Sequence, residues 1–135
     1  QMRKVFSLLL LIVLISFQVE CSLKVDVYKL LRKYFNRKAT IGIMGNIHVE
    51  TGGTYDYKTK QIKGNGYGLF QFDFLKSYYF AYIKKEKLTD SAQNQIKFVY
   101  ETIYGTEKNL IGAGIANKLG AFLKDPKKTL RAVTQ

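Results

Sequence analysis

Glu50 is the residue whose type and position in this sequence most suggest chemistry. It closes an apolar, helix-like run within the segment GNIHVETGG, residues 45–53, directly before two glycines. Asp56 is the one other acidic residue between Asp26 and Asp73, although the chain is rich in lysine. A carboxyl group that keeps its proton near neutral pH can act as a general acid. The environment of Glu50 is therefore the first question that the sequence raises.

Helix geometry predicts that Glu50 lies beside apolar side chains. An α-helix turns about 100° per residue, so Ile43 and Ile47 fall about 20° and 60° from Glu50 around the axis. Glu50 is therefore expected at the edge of the apolar stripe and not on a solvated face. Such shelter disfavours the charged carboxylate, so we expect Glu50 to hold a proton. His48 lies about 160° away and is expected at the surface or the core edge. An ion pair between Glu50 and a neighbouring lysine is the alternative.

A second segment, GNGYGLFQFD at residues 64–73, combines glycines with aromatic side chains. Alternating glycines at Gly64, Gly66 and Gly68 let the backbone approach a ligand or adopt a positive φ. Gln71 supplies a polar group between aromatic residues that could stack on sugars, namely Tyr67, Phe70 and Phe72. The segment lacks the G-K-[ST] ending of a phosphate-binding loop. The alternative is an ordinary hairpin whose aromatic side chains fill the core.

Helices must position these two segments. Apolar spacing predicts a helix over residues 25–35 and a second over residues 36–50, which Asn36 or Thr40 would cap and two glycines would stop. Further helices are predicted over residues 75–83, from Asp90 as a cap to residue 103, over residues 109–123 and after Pro126. Residues 52–73 form a small β-hairpin or loop insertion with its turn at KGNG, residues 63–66. The predicted class is α+β, mostly α, with five to six short helices.

The N-terminus is typical of a secretory signal peptide. Arg3 and Lys4 precede thirteen uncharged residues at positions 5–17, a run shorter than the roughly 20 residues that a membrane-spanning helix needs. We predict cleavage between Cys21 and Ser22. An uncleaved membrane anchor is the alternative.

The charge of the remaining chain favours a polyanionic partner. Cleavage would remove Arg3, Lys4 and Glu20 and leave 20 basic and 9 acidic residues, a net charge of +11. Such a charge draws a protein towards nucleic acid, anionic membranes or bacterial walls, although it can also serve solubility alone. Lysines outnumber arginines, which argues against base readout. Loss of Cys21 leaves no disulfide, and one histidine, His48, builds no histidine-rich metal site, so we expect no cofactor and no metal.

Together the two segments resemble the phage tail lysozyme-like family of peptidoglycan-cleaving domains, which is related to goose-type lysozymes and lytic transglycosylases. In that family a helix of pattern GI-x-GN-x-x-x-E-[ST]-G ends in the catalytic glutamate, and the block GYGL-x-Q follows. The matching residues of this chain are Gly42, Ile43, Gly45, Asn46, Glu50, Thr51 and Gly52, then Gly66, Tyr67, Gly68, Leu69 and Gln71. The likeness extends from about residue 25 to about residue 125.

The resemblance implies a fold, a reaction and a set of site residues. Residues 22–135 would form a lysozyme-like domain after a signal peptide at residues 1–21, and the last helix reaches Gln135 without a stop signal. The reaction would cleave the β-1,4 bond between N-acetylmuramic acid and N-acetylglucosamine. Glu50 would protonate the departing oxygen, and Asp56 and Asp73 are candidates for a second catalytic carboxylate. The expected substrate-binding residues are Tyr55, Tyr67, Gly68, Leu69 and Gln71.

The expected partner is bacterial peptidoglycan. We expect a secreted monomer that binds no membrane after signal cleavage. We also expect no nucleic-acid binding, because the chain has no nucleic-acid stacking motif or arginine cluster. Two alternatives stay open. The chain could be a lytic transglycosylase acting on the same bond, or a non-catalytic cationic protein that binds walls or kills bacteria.

Overall fold

The computed structural model describes residues 1–105, and this part of the chain contains four α-helices. Their bounds are Met2–Arg32 for α1, Arg37–Glu50 for α2, Lys76–Lys85 for α3 and Ala92–Tyr104 for α4. The mostly helical class is therefore confirmed. The helices predicted over residues 109–123 and after Pro126 lie outside the described residues.

Helix α1 is longer than the sequence predicted. One continuous helix joins the apolar N-terminal segment to the first predicted helix, and its residues 2–19 are exposed. By length and composition this helix could cross a membrane, and a signal sequence near the N-terminus meets the same criteria. The signal peptide and the membrane anchor therefore both stay predictions. Leu23 is the first α1 residue packed against the core. Cleavage between Cys21 and Ser22 would therefore remove the exposed part and keep the packed part.

The core consists of two apolar clusters that meet at α4. The first joins α1, α2 and the insertion to α4 and contains Val27, Leu31, Phe35, Ile43, Met44, Ile47, Tyr55, Leu69 and Ile96. The second joins α3 to α4 and contains Phe72, Leu75, Tyr79, Tyr82, Ile83, Phe98, Val99 and Ile103. Phe70 packs against both clusters. The insertion between α2 and α3 thus packs into both clusters.

Helix α2 begins where the sequence predicted. The side chain of Asn36 accepts a hydrogen bond from the backbone N–H of Ala39 at 2.9 Å, so Asn36 is the N-cap. This bond satisfies one of the backbone donors that the first turn of a helix leaves without a partner.

The insertion between α2 and α3 turns too sharply to form strands. Among the described residues its β-structure consists of two isolated antiparallel bridges, one between Lys60 and Tyr67 and one between Tyr67 and Phe72. Positive φ values at Gly68 (82°) and Gln71 (47°) reverse the chain within these few residues. Paired strands therefore cannot extend, and the predicted hairpin is not confirmed, although a turn does occur near residues 63–66.

A fully buried glutamine, Gln95 of α4, ties both arms of the insertion to the core. Its Oε1 accepts a hydrogen bond from the Leu69 N–H at 2.9 Å, and its Nε2 donates to the Tyr57 carbonyl at 2.8 Å. Nε2 also donates to Asp90 Oδ1 at 3.1 Å. At Gly68, a Cβ atom would collide with this amide, and the positive φ also favours glycine.

Asp90 is an anchor for two tyrosines and not the predicted helix cap. Its carboxylate accepts hydrogen bonds from the hydroxyls of Tyr67 and Tyr79. The N-cap of α4 is instead Ser91, whose Oγ accepts from the Asn94 N–H at 3.1 Å. Burial, followed by the hydrogen bond to Asp90 and its negative charge, raises the pKa of both tyrosines.

Replacing Gln95 should destabilise the domain strongly. In Gln95→Met the Leu69 N–H and the Tyr57 carbonyl would lose their partner in the core, at a cost of about 3 kcal/mol in unfolding free energy. Urea denaturation followed by circular dichroism measures this cost. The control is Gln93→Met, an exposed site on the same helix, with an expected change within about 0.5 kcal/mol. Equal stability of the two variants would contradict the anchoring role.

The two buried tyrosines predict a loss of stability at alkaline pH. In the unfolded chain a tyrosine ionises near pH 10.0, whereas the folded state holds these protons to higher pH. Their contribution is therefore complete below about pH 10 and is lost as pH rises above it. Thermal unfolding between neutral pH and pH 11 measures the loss. Compared with the wild-type protein, the double variant Tyr67→Phe/Tyr79→Phe should lose less stability with rising pH. The control Tyr78→Phe, which alters an exposed ring, should lose as much as the wild type. An identical decline in all three proteins would rule out this origin.

Candidate active site

Glu50 is the last residue of α2, and a two-glycine motif ends the helix directly after it. The Gly53 N–H donates to the His48 carbonyl at 2.8 Å, and the Gly52 N–H donates to the Val49 carbonyl at 3.3 Å. The φ values of the glycines are 84° and 61°. This is the hydrogen-bond pattern of a Schellman motif, and it confirms the predicted stop. The motif fixes the position of Glu50 at the C-terminus of the helix.

The side chain of Glu50 is exposed, so the predicted apolar shelter is wrong. The Schellman turn brings the following residues back over the apolar side of α2. Thr51 is buried there, where its Oγ1 donates to the Ile47 carbonyl at 2.8 Å and accepts from the Tyr55 N–H at 3.0 Å. Thr51 and Tyr55 thus take the core positions beyond Ile47, and Glu50 remains on the solvent side.

Glu50 is also not held by a lysine in the described structure. Within residues 1–105, no ion pair within 4.0 Å includes its carboxylate. The alternative interpretation, a helix-end carboxylate bonded to a neighbouring lysine, therefore has no support there. A negative charge at a helix C-terminus is electrostatically unfavourable. Neither an ion pair nor the stability of the helix end therefore accounts for an acidic residue at this position.

An open cleft of about 470 Å³ lies beside Glu50. The end of α2 contributes Glu50, Thr51 and Gly52, and the insertion contributes Thr59, Lys60, Gln61, Ile62 and Gln71. This volume falls within the range of small-molecule sites. The cleft brings together Glu50 and Gln71, one residue from each of the two segments singled out in the sequence.

Gln71 is held by its own side-chain amide. Its Nε2 donates to the Thr59 carbonyl at 3.2 Å and to the Gly68 carbonyl at 2.9 Å. Both partners are acceptors, so the NH₂ group must face them and Oε1 must face elsewhere. The amide therefore joins the two arms of the insertion and has a fixed orientation beside the cleft.

Three predicted binding residues, Tyr67, Gly68 and Leu69, are buried and do not line this cleft. Tyr67 directs its hydroxyl to Asp90, and Leu69 is completely buried in the first core cluster. Gly68 supplies the positive φ described above. These residues shape the loop that carries Gln71, and their contact with a substrate stays a prediction.

Tyr55, Asp56 and Asp73 also lie outside the cleft lining. Tyr55 is buried with its hydroxyl 3.3 Å from Nδ1 of His48, and burial raises its pKa. His48 itself is exposed, as predicted. Asp56 accepts a hydrogen bond from the Lys58 N–H at 2.9 Å, while the side chain of Asp73 is exposed. Among the described residues, Glu50 is therefore the acidic side chain that lines the cleft.

Sequence reasoning missed the cleft residues from Thr59 to Ile62. Their signal was weak, because they lie between the two segments in a polar stretch without helical spacing. The one sequence signal was Ile62, an apolar residue within the otherwise polar run KTKQIKGNG. In the structure this side chain is 98% exposed. The bridge between Lys60 and Tyr67 folds this stretch back on the insertion, and the cleft lining places it beside the end of α2.

The cleft suits a hydroxyl-rich ligand and acid chemistry. Thr59 and Gln61 offer hydrogen-bonding groups, Lys60 offers a positive charge and Glu50 offers a carboxyl group that can exchange a proton. Within the described residues, no group of three or more His, Cys, Asp or Glu side chains could hold a metal ion.

A known protein family matches most of this chain. The chain matches the family model described as phage tail lysozyme over residues 24–129, well over half of its length. The matched segment contains the end of α2 and the whole insertion, and thus every residue that lines the cleft. Neither a search of curated proteins nor a search of solved structures finds a significant match. Because this match covers most of the chain, it shows that the chain belongs to the phage tail lysozyme family.

Proposed function

We propose that this protein is a secreted enzyme that cleaves bacterial peptidoglycan between N-acetylmuramic acid and N-acetylglucosamine, with Glu50 as the general acid. Membership of the lysozyme-like family supports a peptidoglycan-cleaving role. The observation that carries the proposal further is the shared cleft of Glu50 and Gln71. A carboxyl group at the rim of a polar cleft can reach a glycosidic oxygen in a bound chain.

The proposed step breaks the bond between the anomeric carbon and the bridging oxygen. Glu50 gives its proton to that oxygen, which leaves as a hydroxyl, and water then attacks the anomeric carbon and restores a proton to Glu50. Because Glu50 is exposed in the free protein, the proposal assigns the proton transfer to the occupied cleft. A glycan in the cleft would displace water and strengthen the hydrogen bond from the carboxyl group to the oxygen.

A lytic transglycosylase is the second candidate. A two-carboxylate hydrolase holds its pair about 5–5.5 Å or about 6.5–9.5 Å apart. Within the described residues, Glu50 is the acidic side chain of the cleft, and neither Asp56 nor Asp73 lines it. One glutamate suffices when a hydroxyl of the sugar itself attacks the anomeric carbon and forms a 1,6-anhydro product. Help from the substrate's acetamido group would equally remove the need for a second carboxylate.

Charge and the N-terminal segment support an extracellular target. After the proposed cleavage the net charge of +11, from 20 basic and 9 acidic residues, attracts anionic walls and raises encounter rates. The basic residues Arg3 and Lys4 followed by the exposed apolar part of α1 are consistent with a signal sequence.

Glu50→Gln should abolish cleavage and leave the fold intact. Removing a general acid typically lowers the rate by 10²–10⁴-fold. The unfolding midpoint should stay nearly equal, because the substitution is isosteric and the side chain of Glu50 is exposed. Clearing of a purified peptidoglycan suspension measures activity, and thermal unfolding measures stability.

Asp73→Asn is the matched control, since it neutralises an exposed carboxylate away from the cleft. We expect it to keep clearing activity. Retained clearing by Glu50→Gln would remove Glu50 from the mechanism. Clearing that survives this change but disappears at high salt would favour a non-catalytic cationic protein.

The released muropeptides should distinguish the two enzymatic candidates. Hydrolysis adds one water molecule and gives a reducing end, whereas transglycosylation gives a 1,6-anhydro end without added water. For the proposed hydrolysis we expect reducing ends, with the substrate's own acetamido group in place of a second carboxylate, because Glu50 is the acidic side chain of the described cleft. Ends of the 1,6-anhydro type would identify the lytic transglycosylase instead. Mass spectrometry of muropeptides from purified wall measures the outcome. Reducing ends with inverted anomeric configuration would require a second carboxylate and contradict the one-carboxylate interpretation.

A further inference from the structure

Helix α3 and the turn before it carry aromatic rings on the side that faces away from the core. The core side consists of Leu75, Tyr79, Tyr82 and Ile83, which belong to the second apolar cluster. On the other side, Phe74 and Tyr78 are neighbours at i, i+4 spacing and are 60% and 39% exposed. A single exposed apolar residue is ordinary, whereas neighbouring exposed rings mark an interaction surface. We call the exposed residues at this helical spacing the outer face of α3, namely Phe74, Ser77, Tyr78, Ala81, Lys84 and Lys85.

The charge of the outer face is positive. Residues 74–85 contain three lysines and no acidic residue, although Asp73 and Glu86 border this run. Lys85 pairs with Glu86 at 3.8 Å, but these side chains are 57% and 47% exposed, so solvent screens the pair. Lys84 is exposed one position earlier, at the end of the face that Phe74 begins. The outer face therefore attracts an anionic partner.

The residue types of the outer face favour a lipid surface as that partner. Lysine is a flexible point charge and lacks the planar fork with which arginine binds a single phosphate group through two hydrogen bonds. The ring of Phe74 gains free energy only where a contact removes water from it. Tyr78 combines an apolar ring with a polar hydroxyl, as do the tyrosines at the boundary between lipid headgroups and hydrocarbon. An anionic bilayer would match both the rings and the charges, whereas a soluble polyanion would match only the charges.

We propose that the outer face of α3 docks on an anionic phospholipid bilayer. Phe74 and Tyr78 enter the headgroup boundary, and the long side chain of Lys84 keeps its ammonium group among the lipid phosphates. This contact lies on α3, whereas the cleft is formed by the end of α2 and the insertion. The inference goes beyond the proposed cleavage of peptidoglycan, because it adds a membrane surface that the sequence alone did not predict as a partner of the cleaved chain.

The sequence contains no tryptophan, so one introduced tryptophan reports on one site. Phe74→Trp places it on the outer face. Ile41→Trp is the matched control, since Ile41 is a 50% exposed apolar residue of α2 that also follows basic residues, Arg37 and Lys38. Each full-length protein is mixed with vesicles of equal amounts of phosphatidylglycerol and brominated phosphatidylcholine, whose bromine atoms quench tryptophan on contact. Any insertion of the apolar part of α1 is common to both proteins.

We expect quenching at position 74 to be roughly threefold stronger than at position 41, because rings at the headgroup boundary lie close to the bromine atoms. Quenching at position 74 should fall by a similar factor when brominated phosphatidylcholine is used alone, since the anionic lipid supplies the attraction.

Two changes in the Phe74→Trp protein test charge and apolar contact separately. Lys84→Gln should lower the ratio of quenched to unquenched tryptophan about fivefold. Lys38→Gln, which neutralises an exposed lysine of α2, should leave that ratio nearly unchanged. Tyr78→Ser should lower the ratio about threefold, through loss of apolar contact area. Thermal unfolding midpoints show whether each variant remains folded.

Equal quenching at positions 74 and 41, or quenching at position 74 that does not depend on phosphatidylglycerol, would overturn the proposal. Unaltered quenching in the folded Lys84→Gln and Tyr78→Ser variants would overturn it as well. Absence of quenching at position 74 would also overturn it, and would leave a soluble polyanion or an acidic protein as the partner of this face. The measurement involves no cleavage of glycan, so its outcome is independent of the role proposed for Glu50.

Discussion

The buried amide of Gln95 is the interaction on which the cleft depends. It is a completely buried polar group, and its hydrogen bonds to Leu69, Tyr57 and Asp90 satisfy both its donors and its acceptor. The bonds join both arms of an insertion that has almost no β-structure to the central helix α4. An irregular loop of this kind would otherwise have few fixed backbone contacts. The glutamine thus gives the loop opposite Glu50 a defined position.

The sequence predicted the ends of helix α2 correctly, but it did not predict the exposure of Glu50 or the partners of Asp90. Local rules suffice for the ends of α2, because the Asn36 cap and the glycine pair act within a few residues. The common location of Glu50 and Gln71 in one cleft followed from two motifs together. The exposure of Glu50 did not follow, since Thr51 and Tyr55 occupy the core side only after the turn. Asp90 looked like a cap because its tyrosine partners, Tyr67 and Tyr79, are distant in sequence.

The polar groups in and around the insertion are of two kinds, buried hydroxyls that bind Asp90 and side chains that line the cleft. Tyr67 and Tyr79 have their hydroxyls directed inwards to Asp90, where burial raises their pKa and makes them unsuitable as proton donors at neutral pH. Glu50 and Gln61 face the open cleft instead. Gln71 belongs to both kinds, because its Nε2 binds two backbone carbonyls and its side chain lines the cleft. A substitution at Gln71 would therefore change both the conformation of the loop and the lining of the cleft.

The continuity of α1 has a mechanical consequence. No loop separates the exposed apolar segment from the residues that pack into the domain, so only about 12 Å of rigid helix lies between Val19 and Val27. If the N-terminal part of α1 were inserted in a bilayer and not cleaved, the domain would be attached to the membrane by a rigid helix. Its orientation and its distance from the membrane would then be restricted. Peptide-bond cleavage at Cys21 would change the range of the protein from a few nanometres to free diffusion. Release, more than any change in the cleft, would then decide which glycan strands the protein can meet.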